Sequence, residues 1–309
     1  MRQHDHLRYR GCREEVGEAP IFYCIGAAKA GTTWLHSYFA QHPECYMRSV
    51  KEIHFFDRKA GRRDAVARQL EVRVSEALRR QSRFSKPGGL RTKELSFLRD
   101  AIEWADLLDR ADATSRDYLA YLWPRQAARS GAKRCGDITP QYATLDGNAF
   151  SRMAALGSDA RFVFILRDPV ARLWSHLRMR ARIAQRREGR SVTAHQLAED
   201  FLAGNLDLQH SMAAFCDYGG TLDRLFGQVA RDRVHVAFFE ELFTAPALGR
   251  LCTFLGLSAM PPPSVDPLNE GAAESIETKM HDRLRVWLEP QYRAVRERIP
   301  GGLPDDWVR

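Results

Sequence analysis

Three short apolar runs organise this chain, each followed by a polar break and a helical repeat. Ile21-Phe22-Tyr23-Cys24-Ile25 is apolar without interruption, the pattern of a strand buried on both faces of a parallel sheet. The runs at 161–166 and 234–239 read as a second and a third strand. Behind the first, residues 31–41 predict a helix with Trp34, Leu35, Tyr38 and Phe39 on one face, ended by Pro43. Behind the second, Asp168 supplies an N-cap and Pro169 sits in the first turn. Residues 246–255 predict a helix behind the third. Strands alternating with helices imply an α/β protein: a P-loop-like three-layer fold, its central parallel sheet flanked by helices and joined by right-handed crossovers.

Two further helical repeats lie between the first two strands. One runs through Val66, Leu70, Val74 and Leu78, the other through Leu98, Ile102, Ala105 and Leu108, with a break at Lys86-Pro87-Gly88-Gly89. They predict a helical insertion over about 58–130 that shapes a pocket. Near the C-terminus a helix is expected over 275–288, ended or kinked by Pro290. Residues 1–19 read as a loose arm and 20–309 as a single domain.

Charge and cysteine usage narrow the partners. The formal charge of +8 favours anionic ligands. No zinc finger or RNA-binding motif is present, so nucleic acid is not expected as a partner. No apolar run reaches the roughly 18 residues of a membrane span, and the first twenty residues lack a signal-peptide core, so a cytoplasmic protein is expected. The six cysteines (12, 24, 45, 135, 216 and 252) form no C-x-x-C pair, so neither a metal site nor a disulfide framework is expected. Cys24 and Cys252 read as small core residues.

The chemistry gathers at four places. Gly26-Ala27-Ala28-Lys29-Ala30-Gly31-Thr32-Thr33-Trp34 is a small-residue turn between a strand and a helix, which aims backbone N–H groups and a helix N-terminus at one anion. It keeps the glycine spacing of a Walker A loop but has Thr32 where the lysine belongs, and Lys29 inside the loop. That points to a phosphate-bearing donor other than a nucleoside triphosphate. Arg167 ends the second strand, at the carboxyl edge where open parallel sheets bind ligands, and Ser175 follows two helical turns later. An arginine there binds an anion directly, where a Walker B carboxylate would hold a metal. In Lys51-Glu52-Ile53-His54-Phe55-Phe56-Asp57, Glu52 and His54 share a face of an extended segment, and the aromatics are expected to raise the basicity of Glu52. Gly136-Asp137-Ile138-Thr139-Pro140-Gln141-Tyr142 reads as a turn after a short strand. The arginines at 178, 180, 182, 186, 187 and 190 read as a solvated face rather than a site for an anionic acceptor.

Together these motifs resemble the sulfotransferases that use 3′-phosphoadenosine 5′-phosphosulfate (PAPS), over residues 21 to at least 257. Residues 26–34 look like that family's 5′-phosphosulfate loop. Arg-Asp-Pro through Ser175 looks like its 3′-phosphate motif. Lys-Glu-Ile-His-Phe-Phe resembles the segment with the catalytic glutamate of the glycan-type branch, which includes heparan sulfate O-sulfotransferases and bacterial relatives. The resemblance implies PAPS as donor, 3′-phosphoadenosine 5′-phosphate (PAP) as product, and no metal. It implies donor contacts from Ala28, Lys29, Ala30, Gly31, Thr32 and Thr33, adenine stacking by Trp34, and a 3′-phosphate grip by Arg167 and Ser175. Glu52 would be the base, Lys29 would neutralise the leaving oxygen, and His54 would orient Glu52. The partner would be a hydroxyl-bearing acceptor: a glycan, a lipid or a small molecule, with a carbohydrate or lipid-linked hydroxyl in front. Two departures stand out. Ile138 replaces the lysine of the heparan branch, which argues against a heparan-like acceptor. Asn269-Glu270-Gly271, the nearest match to a late basic loop, carries no cation. A P-loop kinase and a catalytically inactive PAPS-binding relative are the alternatives.

Overall fold

The first two long apolar runs form central strands because their residues can be covered on both faces, while the third forms an edge strand that is only partly covered. In the computed structural model all six residues of β1 (Ile21–Gly26) are buried. Described are residues 19–57, 92–125, 127, 130–157, 159–189, 191–263 and 275–308, together with 71, 72, 74–76 and 79. With β2 (Cys45–Tyr46), β3 (Arg134–Ile138), β4 (Arg161–Leu166) and β5 (Val234–Phe238), β1 makes one sheet in the order β2-β3-β1-β4-β5. Every pairing is parallel. The chain leaves β1 toward β2 on one side and leaves β4 toward β5 on the other. The carboxyl ends of β1 and β4 therefore border the crevice where the strand order reverses.

The helices are α1 (Thr32–Gln41), α2 (Thr92–Asp109), α3 (Ser115–Leu122), α4 (Gly147–Ala154), α5 (Pro169–Glu188), α6 (Ala194–Leu202), α7 (Leu206–Cys216), α8 (Tyr218–Phe226), α9 (Ala245–Leu255), α10 (Thr278–Arg298) and the short α11 (Asp305–Val308). α1 buries Trp34, Leu35, Tyr38 and Phe39, as its spacing predicts. Asp168 caps α5 by accepting from the Ala171 N–H, with Pro169 in the first turn. Cys24 and Cys252 are core residues, and so are Cys45, Cys135 and Cys216.

Three expectations need correction. The buried stripe of α2 holds Asp100, Ala101, Trp104, Leu107 and Leu108, while Ile102 is 71% exposed. The helix is rotated because Asp100 is drawn inward by Arg48 and by the Ser49 N–H, each at 2.8 Å. Helix α10 continues through Pro290. The carbonyl that proline leaves without its N–H partner belongs to Val286, which stands on the water side at 77% exposure, and Tyr292 and Val295 anchor the helix beyond it. Gly136, Asp137 and Ile138 belong to β3 itself, and the turn begins at Thr139, leading into a 3₁₀ segment over Pro140–Thr144. Residues 1–18, Val66, Leu70, Leu78, the 86–89 break and residues 269–271 lie outside the described residues.

Candidate active site

The loop after β1 reaches its shape through residues with unusual backbones. Gly31, the N-cap of α1, has φ +79°, and a Cβ there would stand 3.1 Å from the Phe239 ring. It provides no side-chain cap, so the first N–H groups of α1 receive no hydrogen bond from it. Among the described residues, three other than glycine have positive φ: Lys29 (72°), Glu52 (63°) and His54 (58°). For such residues the left-handed region costs roughly 1–2 kcal/mol each, and it persists only where the surroundings enforce it. These three are the residues to which the sequence assigns the chemistry.

The end of β4 closes on this loop from the neighbouring strand. Arg167 Nη1 donates to the Lys29 carbonyl at 2.9 Å, and its guanidinium lies 4.3 Å over the Phe239 ring. Tyr218 Oη donates to the Arg167 carbonyl at 2.8 Å and so fixes the strand end. Ser175 is buried on α5. One turn earlier, Arg172 is fully buried with its Nε and Nη1 unpartnered, and its Nη2 donates to Cys216 Sγ at 2.7 Å. Among the described residues no carboxylate pairs with that guanidinium, so its charge adds to the positive field behind Ser175.

Lys29 extends along α5, its Nζ 3.9 Å from Met179 Sδ. Burial, and after it the charges of Arg182, Arg167, Arg178 and Lys51, lower the Lys29 ammonium from its ordinary value. So many cations around one partly buried amine is an arrangement that an anion would relieve.

The Glu52 segment meets the loop through Lys51. Lys51 Nζ lies 2.7 Å from Glu52 Oε1, 3.2 Å from Thr33 Oγ1 and 3.5 Å from Thr32 Oγ1. An amine thus stands beside the position at which the Walker pattern lacks its lysine, supplied from a different segment. His54 places Nε2 3.8 Å from Glu52 Oε2 and Nδ1 2.9 Å from Asp57 Oδ2. Burial lowers the His54 pKa, but the hydrogen bond to Asp57 and the ion pair with Glu52 raise it more, to about 9. Burial likewise raises Glu52, yet the ion pair with His54 and the contact with Lys51 hold it well below the usual carboxylate range. The expected rise in Glu52 basicity is therefore reversed. Phe55 and Phe56 pack on Tyr118, 4.5 and 5.2 Å between centroids, and form part of the core below the segment.

Rigid elements hold this segment on two sides. Trp104 Nε1 of α2 donates to the Ile53 carbonyl at 2.9 Å. Phe55 N–H donates to Tyr142 Oη at 2.9 Å, and Tyr142 Oη donates in turn to Asp137 Oδ2 at 2.9 Å. Asp137 is fully buried in β3 and also accepts from Tyr118 Oη at 2.7 Å and Thr139 Oγ1 at 2.6 Å. The segment 136–142, weak as a motif, is thus the support of the Glu52 loop.

Trp34 does not suit adenine stacking. Its ring lies 5.6 Å from Tyr38, nearly parallel to it, meets Phe243 edge-on at 4.9 Å, and is 5% exposed. The core of α1 occupies it. Lys51 and Asp57, to which the sequence pattern assigns no role, join the site; Arg182 is exposed as a solvated face predicts and Arg178 is half-buried, and the charges of both act on Lys29. The signal for the arginines was their spacing of three and seven residues from Ser175, which keeps them on one side of α5. A separate cavity of about 410 Å³ near β5 and residues 299–305 shares no residue with the loop or the Glu52 segment.

Among the described residues no helix is long and apolar enough to cross a membrane, and no group of three or more His, Cys, Asp or Glu could hold a metal ion. Among curated proteins none matches the chain. A solved sulfotransferase from Alicyclobacillus acidocaldarius is similar in structure, with a TM-score of 0.62 and 22% identity over 93% of this chain and 98% of that one. The sulfotransferase domain of the Synechococcus PCC 7002 olefin synthase gives 0.51 and 18%, over 90% and 95%. At these identities the likeness is one of fold. The model of the sulfotransferase family matches residues 20–262, which include both nucleotide-type motifs and the Glu52 segment, and the chain belongs to the sulfotransferase family.

Proposed function

We propose that the protein moves the sulfuryl group of PAPS to the hydroxyl of an acceptor, with Glu52 as general base. The observation that carries this reading is the meeting of two strained segments. Lys29 on one, Glu52 and His54 on the other, hold left-handed backbones, and Lys51 joins the two segments through the Thr32 and Thr33 hydroxyls. The 5′-phosphosulfate would lie on residues 28–33, against the backbone N–H groups and the two threonine hydroxyls. Arg167 and Ser175 would hold the 3′-phosphate, backed by the charge of Arg172.

In the transfer, the acceptor oxygen attacks sulfur as its proton passes to Glu52. The bond from sulfur to the bridging phosphate oxygen breaks, and PAP leaves with the electron pair, its charge met by Lys29. Positioning and fixed charges supply most of the rate, as in phosphoryl transfer. Glu52 in contact with Lys51 is a weak base. The incoming phosphosulfate competes for Lys51, which already touches the loop threonines, and its departure from Glu52 removes one of the two cations that hold the carboxylate's basicity down, with His54 the other. Donor binding thereby prepares the base. His54, charged at neutral pH and held by Asp57, keeps Glu52 aimed.

The acceptor in this reading is a glycan, lipid or small-molecule hydroxyl, and the setting is the cytoplasm. Support for that setting comes from the free thiols of Cys24, Cys45, Cys135, Cys216 and Cys252, all buried. The test is transfer from radiolabelled PAPS to a panel of glycans, lipids and alcohols, with calorimetry of PAP binding. Transfer to a hydroxyl and tight PAP binding are expected. Absence of both, or tighter binding of Mg-ATP than of PAP, would reject the reading.

A further inference from the structure

α5 carries more positive charge toward Lys29 than the donor contacts above use. Arg178 is half-buried and its Nε is buried without a partner. Arg182, one turn on, donates from Nε to the Arg178 carbonyl at 3.3 Å. Between them Met179 touches Lys29 Nζ. No carboxylate among the described residues pairs with Arg178 or Arg182. A surface arginine in a solvated row commonly finds a carboxylate or points to water, whereas an arginine with a buried, unsatisfied N–H beside other cations has an unmet demand for an anion. Both residues also lie beyond Ser175 along the helix, past the residues that would grip the 3′-phosphate, and they flank Met179, which the Lys29 amine approaches at 3.9 Å; Arg178 is half-buried there and Arg182 exposed at the mouth.

We infer that Arg178 and Arg182 form an acceptor subsite that binds a carboxylate or phosphate on the acceptor, so that the hydroxyl sulfated belongs to an anionic molecule. This rests on the donor reading above, because the subsite is defined by its place beside the sulfuryl end of the donor. The planar guanidinium suits both anions through paired N–H donors. The anion would sit on the α5 side of the cleft and leave the hydroxyl to face Glu52. The mutual repulsion of Lys29, Arg178 and Arg182 then falls when both substrates are in place, which favours the ternary complex over either binary one.

The test uses the full chain. PAP is first titrated into the wild-type protein, and failure to bind there sinks the donor reading, before any acceptor is added. Glucuronate and glycerol 3-phosphate are then titrated into protein saturated with PAP and inorganic sulfate, each beside its neutral counterpart, glucose or glycerol. At least one anion is expected to bind roughly tenfold or more tightly than its counterpart, the scale of a charge-assisted hydrogen bond. Which of the two binds tells a carboxylate from a phosphate. In the double variant Arg178→Gln, Arg182→Gln that preference disappears, while PAP affinity and the near-ultraviolet spectrum stay as in the wild type. Equal binding of anion and neutral counterpart, or no anion binding to the wild type, overturns the inference. So does loss of PAP affinity in the double variant, which would assign the two cations to the donor.

Discussion

Glu52 sits between two cations, and this decides how it can act as a base. Lys51 at 2.7 Å and His54 at 3.8 Å stabilise its charged form, and a carboxylate so stabilised takes a proton reluctantly. Replacing Glu52 by Gln removes the proton acceptor and keeps the shape. We expect kcat to fall by roughly 10²–10⁴, the range of a lost general base, with PAP affinity unchanged in calorimetry. Near-normal turnover would remove Glu52 from the role. Lys51→Met separates the two tasks given to the lysine. Without its neighbour Glu52 binds a proton more readily, so the acid limb of the kcat/KM profile moves to higher pH. If Lys51 also meets charge on the donor, kcat drops as well, by roughly 10²-fold, as when one donor to a developing anion is lost. A moved acid limb with kcat intact would confine Lys51 to the unliganded protein.

At the scale of elements, the base is placed by parts of the chain remote in sequence. Helix α2 reaches the segment through Trp104 and Asp100, and β3 reaches it through Asp137 and Tyr142. Tyr142→Phe deletes one hydroxyl that serves both ends, removing an acceptor from the Phe55 N–H and a donor from buried Asp137. The expected loss is about 1–3 kcal/mol in urea denaturation. A kcat decrease with little change in PAP affinity should accompany it, since the donor loop is attached elsewhere. Unchanged kcat would show that this anchor serves stability alone. None of this support was legible in the sequence, because a buried aspartate in Arg-Cys-Gly-Asp-Ile looks like a turn until the tyrosines that satisfy it are in place. β1, β4, β5, α1 and α5 were legible, since each is an apolar run or a capped amphipathic repeat. The helices passed over, α3, α4, α6, α7 and α8, are short, eight to eleven residues, so their apolar faces span few repeats, but they have strong starts: Thr114, Asp146, Thr193, Asn205 and Asp217 each accept a hydrogen bond from the first turn. Reading caps before periodicity would have found them. The two nucleotide-type motifs were visible because their chemistry is local. Arg182 is exposed, as a solvated face predicts, while the burial of Arg178 Nε is visible only in the fold.

For the molecule as a whole, the charged cluster at the site ties stability to pH. The His54 pKa rises from 6.5 to about 9 on folding, with its side chain 14% exposed. A raised folded value means that the imidazolium contributes its full stabilisation below the unfolded value and loses it as pH climbs through the folded one. Between about pH 6.5 and pH 9 the protein should therefore lose a contribution on the order of 2–3 kcal/mol from this residue. Glu52 works in the opposite sense: its folded value lies below 4.5, so its contribution is present above that pH and fades as pH falls. It stays ionised in both states throughout the histidine window and adds no slope there. Other groups titrate too, so the measurement is a difference between two proteins. Urea denaturation of the wild type and of His54→Gln at several pH values between 6 and 10 isolates the imidazole. The wild type should be the more stable by roughly 2–3 kcal/mol at pH 6, and the gap should close as the imidazolium is lost near pH 9. A gap constant across that range would mean that His54 is neutral in the folded protein. It would then bring no charge to Glu52 where a cation is required, and the charge network that aims the base would lose its centre.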